Sequence, residues 1–160
     1  MTQQGALISG ASGLIGSHLA NHLKSKGWRV YGIARRELDN ADGQTIVHVK
    51  ADLEDRQKLV EALRAAGADS GISTVFHCAL QNLDDPVKGC EVNLSMLRNV
   101  VEAAEELGCQ LQHVHCNTGL KWYGVAIPGA KLKTPFKEDA PRCAGSHLSL
   151  LACHWLFGSI

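Results

Sequence analysis

The glycine spacing near the N-terminus constrains the fold more than any other feature of this chain. An apolar run ends at Gly10, and Gly13 and Gly16 follow at intervals of three, where a helical pattern begins. Because glycine permits sharp turns and close backbone approach, this spacing predicts a strand, a tight turn and a helix N-terminus. Such a turn favours a pyrophosphate, since the helix end supplies free N–H groups and a partial positive charge. The spacing G-x-x-G-x-x-G is weak evidence alone, so the prediction depends on the pattern of the remaining chain.

Apolar segments and helical patterns alternate along the rest of the chain. A first helical face, running to about Lys26, carries Leu14, Ile15, His18, Leu19, His22 and Leu23. After the first strand we predict strands over Trp28–Ala34, Ile46–Lys50, Ser73–Leu80 and Leu111–Cys116, and a long helix over Val87–Leu107. Short connections and right-handed crossovers then give an α/β fold. Its Rossmann-like, doubly wound parallel sheet has strand order 3-2-1-4-5.

Two arginines follow the second predicted strand, where a dinucleotide fold meets the adenosine ribose. An acidic residue there selects NAD through the 2′-OH, whereas arginine pairs with the 2′-phosphate of NADP. This position holds Arg35 and Arg36, and the first acid is Glu37. The pattern favours NADP(H), and the alternative is a solvated basic loop.

Asp52 follows the third predicted strand, where this fold places its ligand. It is open to two interpretations, an adenine contact or a local turn. Asp55 precedes a helix carrying Leu59, Val60 and Leu63, and it can equally be only a helix N-cap.

The amino-acid composition limits the classes of partner that this chain is expected to bind. Sixteen Lys and Arg balance sixteen Asp and Glu, which gives no basic surplus for nucleic acid. Without a signal-like start or a long apolar segment, we expect a cytoplasmic chain with no membrane partner and with reduced cysteines. His18 and His22, one helical turn apart, can in principle bind a metal, but no third ligand is evident nearby, so we predict no metal site.

The residues resemble one enzyme family. The turn Gly10–Gly16, the pair Arg35-Arg36, the triplet Ala51–Leu53 and the helix segment Val92–Asn99 are similar to motifs of the extended short-chain dehydrogenase/reductases. Within that family, Asn117–Gly124 resembles the T-G-x-K-H-Y segment of the progesterone 5β-reductase and iridoid synthase-like group. The resemblance covers residues 1 to about 142.

The resemblance implies an NADPH-dependent reduction of an activated C=C bond, that of an enone or enal, in small-molecule specialised metabolism. It assigns a catalytic role to Lys121, which matches the lysine of the group. It also places contacts to the cofactor NADP at Gly10, Ser12, Gly13, Leu14, Ile15, Arg35, Arg36, Asp52, Leu53, Ala79, Thr118 and Lys121. The partner expected on this basis is a small-molecule unsaturated carbonyl compound.

The chain departs from the group at its catalytic acid. The only tyrosines are Tyr31 and Tyr123, and neither has a lysine four residues later, so no residue matches the tyrosine that supplies the acid. Trp122 also stands where the group has histidine. Whether the chain is an enzyme therefore stays open. The alternatives are a non-catalytic NADP(H)-binding module or fragment and, less strongly, a relative of the sugar-nucleotide epimerases and dehydratases.

The C-terminal residues are the subject of a separate prediction about domain organisation. We divide the chain into an NAD(P)-binding domain, residues 1–142, and a divergent apolar tail, residues 143–160, with the family's later strands and substrate domain missing. Cys143, His147, Cys153 and His154 in this tail fit no common zinc spacing. An uncovered sheet edge promotes association, so self-association is a further expectation.

Overall fold

The computed structural model describes residues 4–68, 71–117, 123, 134–137, 139 and 140. Strands and helices alternate up to the fifth strand, except that the second and third strands follow each other without a described helix between them. The elements are β1 (Gly5–Ser9), α1 (Leu14–Ser25), β2 (Arg29–Ala34), β3 (Ile46–Lys50), α2 (Arg56–Ala65), β4 (Ile72–His77), α3 (Pro86–Glu106) and β5 (His113–Cys116).

The five strands form one parallel sheet in the order β3-β2-β1-β4-β5, which confirms the predicted topology. Strand β1 lies at the centre, and every one of its residues is buried. Such continuous burial is typical of a parallel strand with both faces covered. Because all the strands run in the same direction, their carboxyl ends lie along one edge of the sheet.

Two strand boundaries differ from the sequence prediction by two residues or more. Strand β4 ends at His77 rather than at Leu80, and β5 begins at His113 rather than at Leu111. Leu80 is an exposed apolar residue beyond the strand. Apolar character alone therefore extended the predicted strand past the point where pairing stops.

The predicted face of α1 is wrong in part. The residues that α1 buries are Gly16, Ala20 and Leu23, whereas Leu14 and Ile15 are 78% and 55% exposed. The physical reason is the contact at Gly16, where an added Cβ would lie only 2.4 Å from the Gly10 carbonyl oxygen. This contact sets the rotation of α1 about its axis and leaves the first two residues of the helix exposed.

Helix α2 begins at an N-cap that the sequence offered as an alternative. The Asp55 carboxylate accepts a hydrogen bond of 3.1 Å from the Lys58 N–H. The carboxylate also lies 2.8 Å from Lys58 Nζ, and this interaction holds the pKa of Asp55 below its usual value. The N-cap interpretation of Asp55 is therefore confirmed.

The described residues fall into two compact units. The first holds residues 4–80 and 95–116, and the second holds residues 81–94 with the described residues from 117 onward. In the second unit, Asn93 exchanges two hydrogen bonds of 2.8 Å with the backbone of Gln81. Residues 143–160 lie outside the described residues. Within the described part of the chain, no helix is both long and apolar enough to cross a membrane.

Candidate functional site

The candidate site lies at the sheet edge formed by the carboxyl ends of the parallel strands. Strand pairing aligns Ser9 with Ile33 on one side and with His77 on the other, and it aligns Ala34 with Lys50. The segments after these strands therefore leave the sheet side by side. Ligands of doubly wound folds bind at this edge.

The segments at this edge contain most of the residues predicted to contact a cofactor. The edge brings together the segments that carry Gly10, Ser12, Gly13, Leu14, Ile15, Arg35, Arg36, Asp52, Leu53 and Ala79.

The turn after β1 is built by backbone hydrogen bonds. The N–H groups of Gly10 and Ala11 donate to the Ile33 carbonyl at 3.1 and 3.2 Å, and the Gly13 N–H donates to the Gly10 carbonyl at 2.9 Å. Gly10 has a φ of +72°, which glycine adopts without strain. A Cβ at Gly10 would lie 2.7 Å from the backbone nitrogen of Ala79, so the two loops are in direct contact.

The start of α1 has the features of an anion site. Gly13 is the N-cap and makes no side-chain cap hydrogen bond, and the first turn carries no acidic residue. The N–H groups of a first helical turn have no partner within the helix, and the helix dipole favours a negative charge beside them. The glycine-lined turn and this helix end fit the pyrophosphate of a dinucleotide.

A buried polar pair lies directly beneath this turn. Ser9 Oγ and His77 Nδ1 share a hydrogen bond of 2.7 Å between neighbouring strands, and His77 is only 4% exposed. Burial lowers the pKa of His77 to about 4, so the imidazole is neutral at pH 7. The pair joins the end of β1, which the glycine turn follows, to the end of β4, which the segment containing Ala79 follows. No sequence pattern indicates the pair, since only the register of β1 and β4 brings these two residues together.

The two arginines expected to contact the 2′-phosphate on the adenosine ribose follow β2. Arg35, Arg36 and Glu37 are all exposed, and the next residue, Leu38, is buried. His48 Nε2 on β3 donates to the Ala34 carbonyl at 3.2 Å, immediately before the arginines. This arrangement leaves both guanidinium groups accessible to a ligand at the edge of the sheet.

Asp52 adopts the turn role that the sequence left open. Its carboxylate accepts from the Glu54 N–H at 3.1 Å, and its carbonyl accepts from the Asp55 N–H at 3.3 Å. The side chain is exposed at the candidate edge, and its contact with adenine stays a prediction. Leu53 is buried, and its carbonyl accepts a hydrogen bond of 2.7 Å from Asn99 Nδ2 on α3.

The segment after β4 completes the described part of the site. The Cys78 N–H donates to the Ser9 carbonyl at 3.0 Å, which continues the strand pairing by one residue. Burial raises the pKa of the Cys78 thiol. Cys78 is a free thiol, and the expectation of reduced cysteines stays a prediction.

Of the predicted catalytic segment, Asn117–Gly124, the described residues include only Asn117 and Tyr123. Thr118 and Lys121 lie outside the described residues, as does the candidate zinc set Cys143, His147, Cys153 and His154. Tyr123 is described: its ring stacks on Phe136 with centroids 4.9 Å apart, and its hydroxyl donates to the Lys137 carbonyl at 3.1 Å. Among the residues that the structure places, no three His, Cys, Asp or Glu side chains gather in a metal-binding group.

Comparison with known proteins agrees with this geometry. Residues 6–144 match the model of the NAD dependent epimerase/dehydratase family. The crystal structure of Thermus thermophilus UDP-glucose 4-epimerase in complex with NAD superposes with a TM-score of 0.70 at 27% identity. That superposition covers 96% of this chain and 50% of the epimerase.

Two curated plant enzymes are also similar. The 3-oxo-Delta(4,5)-steroid 5-beta-reductase of Arabidopsis thaliana is 34% identical, and the (S)-8-oxocitronellyl enol synthase of Catharanthus roseus is 31% identical, each over 86% of this chain. The chain spans 37% and 36% of the length of these relatives. These enzymes match the steroid reductase and iridoid synthase-like group that the motifs resemble, so that resemblance is confirmed.

Proposed function

Because the chain belongs to the NAD dependent epimerase/dehydratase family, we propose that it binds NADP(H) for the reduction of an activated C=C bond. The substrate class is an enone or enal of small-molecule specialised metabolism, by analogy with the two plant relatives. The observation that carries the proposal is the position of Arg35 and Arg36, which are exposed immediately beyond β2 and beside the glycine turn.

The choice of NADP over NAD rests on charge at this position. A 2′-phosphate carries negative charge and several acceptor oxygens, and guanidinium groups pair with it through two parallel hydrogen bonds. The 2′-OH of NAD would instead call for an acidic acceptor at the end of β2. Since two arginines occupy that place, the site is suited to the phosphorylated cofactor.

The cofactor prediction is tested by replacing Arg35 and Arg36 together with alanine. We expect the Kd for NADP to rise about a hundredfold, corresponding to two charge-assisted contacts, while the Kd for NAD changes by less than about threefold. Arg64→Ala, at an exposed position on α2, is the control and leaves both constants unchanged. Equal losses for NADP and NAD would contradict the NADP assignment.

The turn Gly10–Gly16 with Arg35 and Arg36 would hold the cofactor, which would supply hydride-transfer chemistry at the β-carbon of the enone. Negative charge would then develop on the carbonyl oxygen of the substrate, and a proton from water would be added at the α-carbon. The developing oxyanion needs a hydrogen-bond donor or a cation. We assign Lys121 to polarise this oxygen, because it matches the lysine of the group that the chain resembles.

A specific observation favours a second function, cofactor binding without turnover. Tyr31 is buried and its hydroxyl donates to the Gly67 carbonyl at 2.8 Å, while the Tyr123 hydroxyl donates to the Lys137 carbonyl. Both tyrosine hydroxyls are thus directed to the protein backbone. A tyrosine that served as the catalytic acid would direct its hydroxyl towards the substrate.

Turnover assays separate these two functions. Purified chain is incubated with NADPH and a panel of enones and enals, and oxidation is followed by absorbance. Oxidation of NADPH that Lys121→Ala abolishes even at saturating NADPH supports the reductase. Tight NADP binding with no oxidation of NADPH supports the binding module and removes the reductase assignment.

A further inference from the structure

The segment that connects β2 to β3 is charged and polar, yet it is attached to the body of the domain at three points. The attachments are made by the side chains of Leu38, Asn40 and Asp42, and each reaches a different part of α1 or of the turn before it. Glycine spacing and strand order do not require any of them.

The first attachment is apolar. Leu38 is 8% exposed and belongs to the same buried cluster as Ala11 of the glycine turn. A Cβ built on Gly32 would lie 2.6 Å from Leu38 Cδ1 and 3.0 Å from the Ala11 Cβ. Leu38 therefore lies directly against the bare backbone of Gly32, next to the turn.

The other two attachments are polar. Asn40 Nδ2 donates to the Ser17 carbonyl at 3.3 Å and to Asn21 Oδ1 at 3.1 Å, both on α1. Asp42 Oδ1 accepts three backbone N–H groups, from Gln44, Thr45 and Ile46. Its second oxygen lies 2.8 Å from Lys24 Nζ at the end of α1, and this lysine, as the largest cause, holds the Asp42 pKa well below its usual range.

The arginines lie between two fixed points. On one side, Ala34 is paired in the sheet and its carbonyl accepts from His48 Nε2. On the other side, Leu38 is buried. Only three residues separate these points, so few backbone conformations are open to Arg35 and Arg36.

We propose that Leu38 is a positioning residue that sets cofactor specificity by fixing the backbone of Arg35 and Arg36 for a 2′-phosphate. This inference rests on the proposed binding of NADP(H). An arginine pair recognises phosphate through directional, paired hydrogen bonds, and prior ordering of the backbone lowers the cost of ordering it on binding. NAD lacks the phosphate, so its affinity does not depend on this ordering.

The test compares Leu38→Ala with Leu23→Ala, a matched control. Leu23 lies on α1, is 7% exposed and belongs to the same buried cluster, but it is outside the β2–β3 segment. We expect Leu38→Ala to lower the ratio of the Kd for NAD to the Kd for NADP by about tenfold. Leu23→Ala should lower the melting temperature comparably and leave this ratio unchanged, because it removes packing without freeing the arginines.

Leu38→Val is measured beside these variants, since it keeps an apolar side chain at this position while removing the Cδ1 atom that lies against Gly32. We expect a ratio between those of the unaltered protein and Leu38→Ala, and Leu38→Val carries the test alone if the alanine variant does not fold. Suppose that the Arg35 and Arg36 double substitution abolishes the preference for NADP. An unchanged ratio in both Leu38 variants would then overturn the inference about Leu38 alone. If that double substitution leaves the preference intact, the proposed function itself fails.

Discussion

The glycine turn after β1 and the arginine segment after β2 lie at the same edge of the sheet but are held in different ways. The turn is held by its backbone, through three N–H to carbonyl hydrogen bonds and through glycines at positions where a side chain would collide. The arginine segment is held by side chains, with Leu38 in the core and Asn40 and Asp42 reaching α1.

This difference separates general binding from specificity. A pyrophosphate is common to NAD and NADP, so a turn built from backbone suits both cofactors. The 2′-phosphate distinguishes them, and its predicted contacts lie on the segment that individual side chains hold. Substitutions in the turn should therefore affect both cofactors, whereas substitutions in the segment should affect their ratio.

The largest expected effect comes from filling the closest contact in the turn. In Gly16→Ala, the new Cβ would lie 2.4 Å from the Gly10 carbonyl oxygen and 2.8 Å from the Ala11 Cα, and both are backbone atoms that cannot rotate away. We expect a loss of about 3 kcal/mol in the free energy of unfolding, since overpacking moves backbone. Affinity for NAD and NADP should fall together, which isothermal titration calorimetry measures.

Gly27→Ala is the control for this substitution. Gly27 follows the other end of α1, has a φ of +82° and has no atom within 4 Å of an added Cβ. Its substitution should cost about 1 kcal/mol through backbone strain alone. Cofactor affinity should not change. Selective loss of NADP binding in Gly16→Ala would break the distinction between the two regions.

The glycine turn after β1, which backbone contacts hold, could be predicted from the sequence. Glycine spacing predicted the turn, and the alternation of strands and helices predicted the parallel order that places Arg35 at the same edge. The face of α1 was not predictable from hydrophobicity, because Leu14 and Ile15 are exposed at the edge while Gly16 is buried. Close packing of a glycine, which has no hydrophobic side chain, determined the rotation of the helix.

The second prediction concerns the pair beneath the turn, where side chains rather than backbone join two strands. Burial holds the pKa of His77 near 4, below its unfolded value of about 6.5. Between these values the unfolded chain binds more protons, so the folded state loses stability as the pH falls from 6.5 towards 4. We expect His77 to account for a loss of about 2 kcal/mol between pH 7 and pH 5.

Urea unfolding at pH 7 and pH 5 measures this contribution against a double variant, Ser9→Ala with His77→Phe. The double variant removes both partners of the hydrogen bond, so it leaves no buried polar group unpaired. Other titrating groups are common to both proteins, and the difference in pH dependence isolates His77. Identical pH dependence in the two proteins would show that His77 is not buried as a neutral group.

The polar side-chain contacts could not be predicted, because each joins residues well separated in the chain. Ser9 and His77 are 68 residues apart, and Asn40 is 23 residues from Ser17. The one available signal was Leu38, the only large apolar residue in the charged stretch 35–44. Leu38 packs where Gly32 has no side chain, and this contact is known only once the register of β2 with its neighbours is known.

The smallest expected effect tests whether the polar attachments share the role of Leu38. Asn40→Ala removes two hydrogen bonds to α1, whereas Asn21→Ala removes only the one between their side chains. We expect losses in unfolding free energy of about 1 and 0.5 kcal/mol, because exposed and half-buried hydrogen bonds contribute little net stability. The ratio of NAD to NADP dissociation constants should fall about twofold for Asn40→Ala and stay constant for Asn21→Ala. If both variants changed the ratio equally, the helix surface rather than the Asn40 attachment would set the arginine geometry, and the contrast between the two regions would need to include α1.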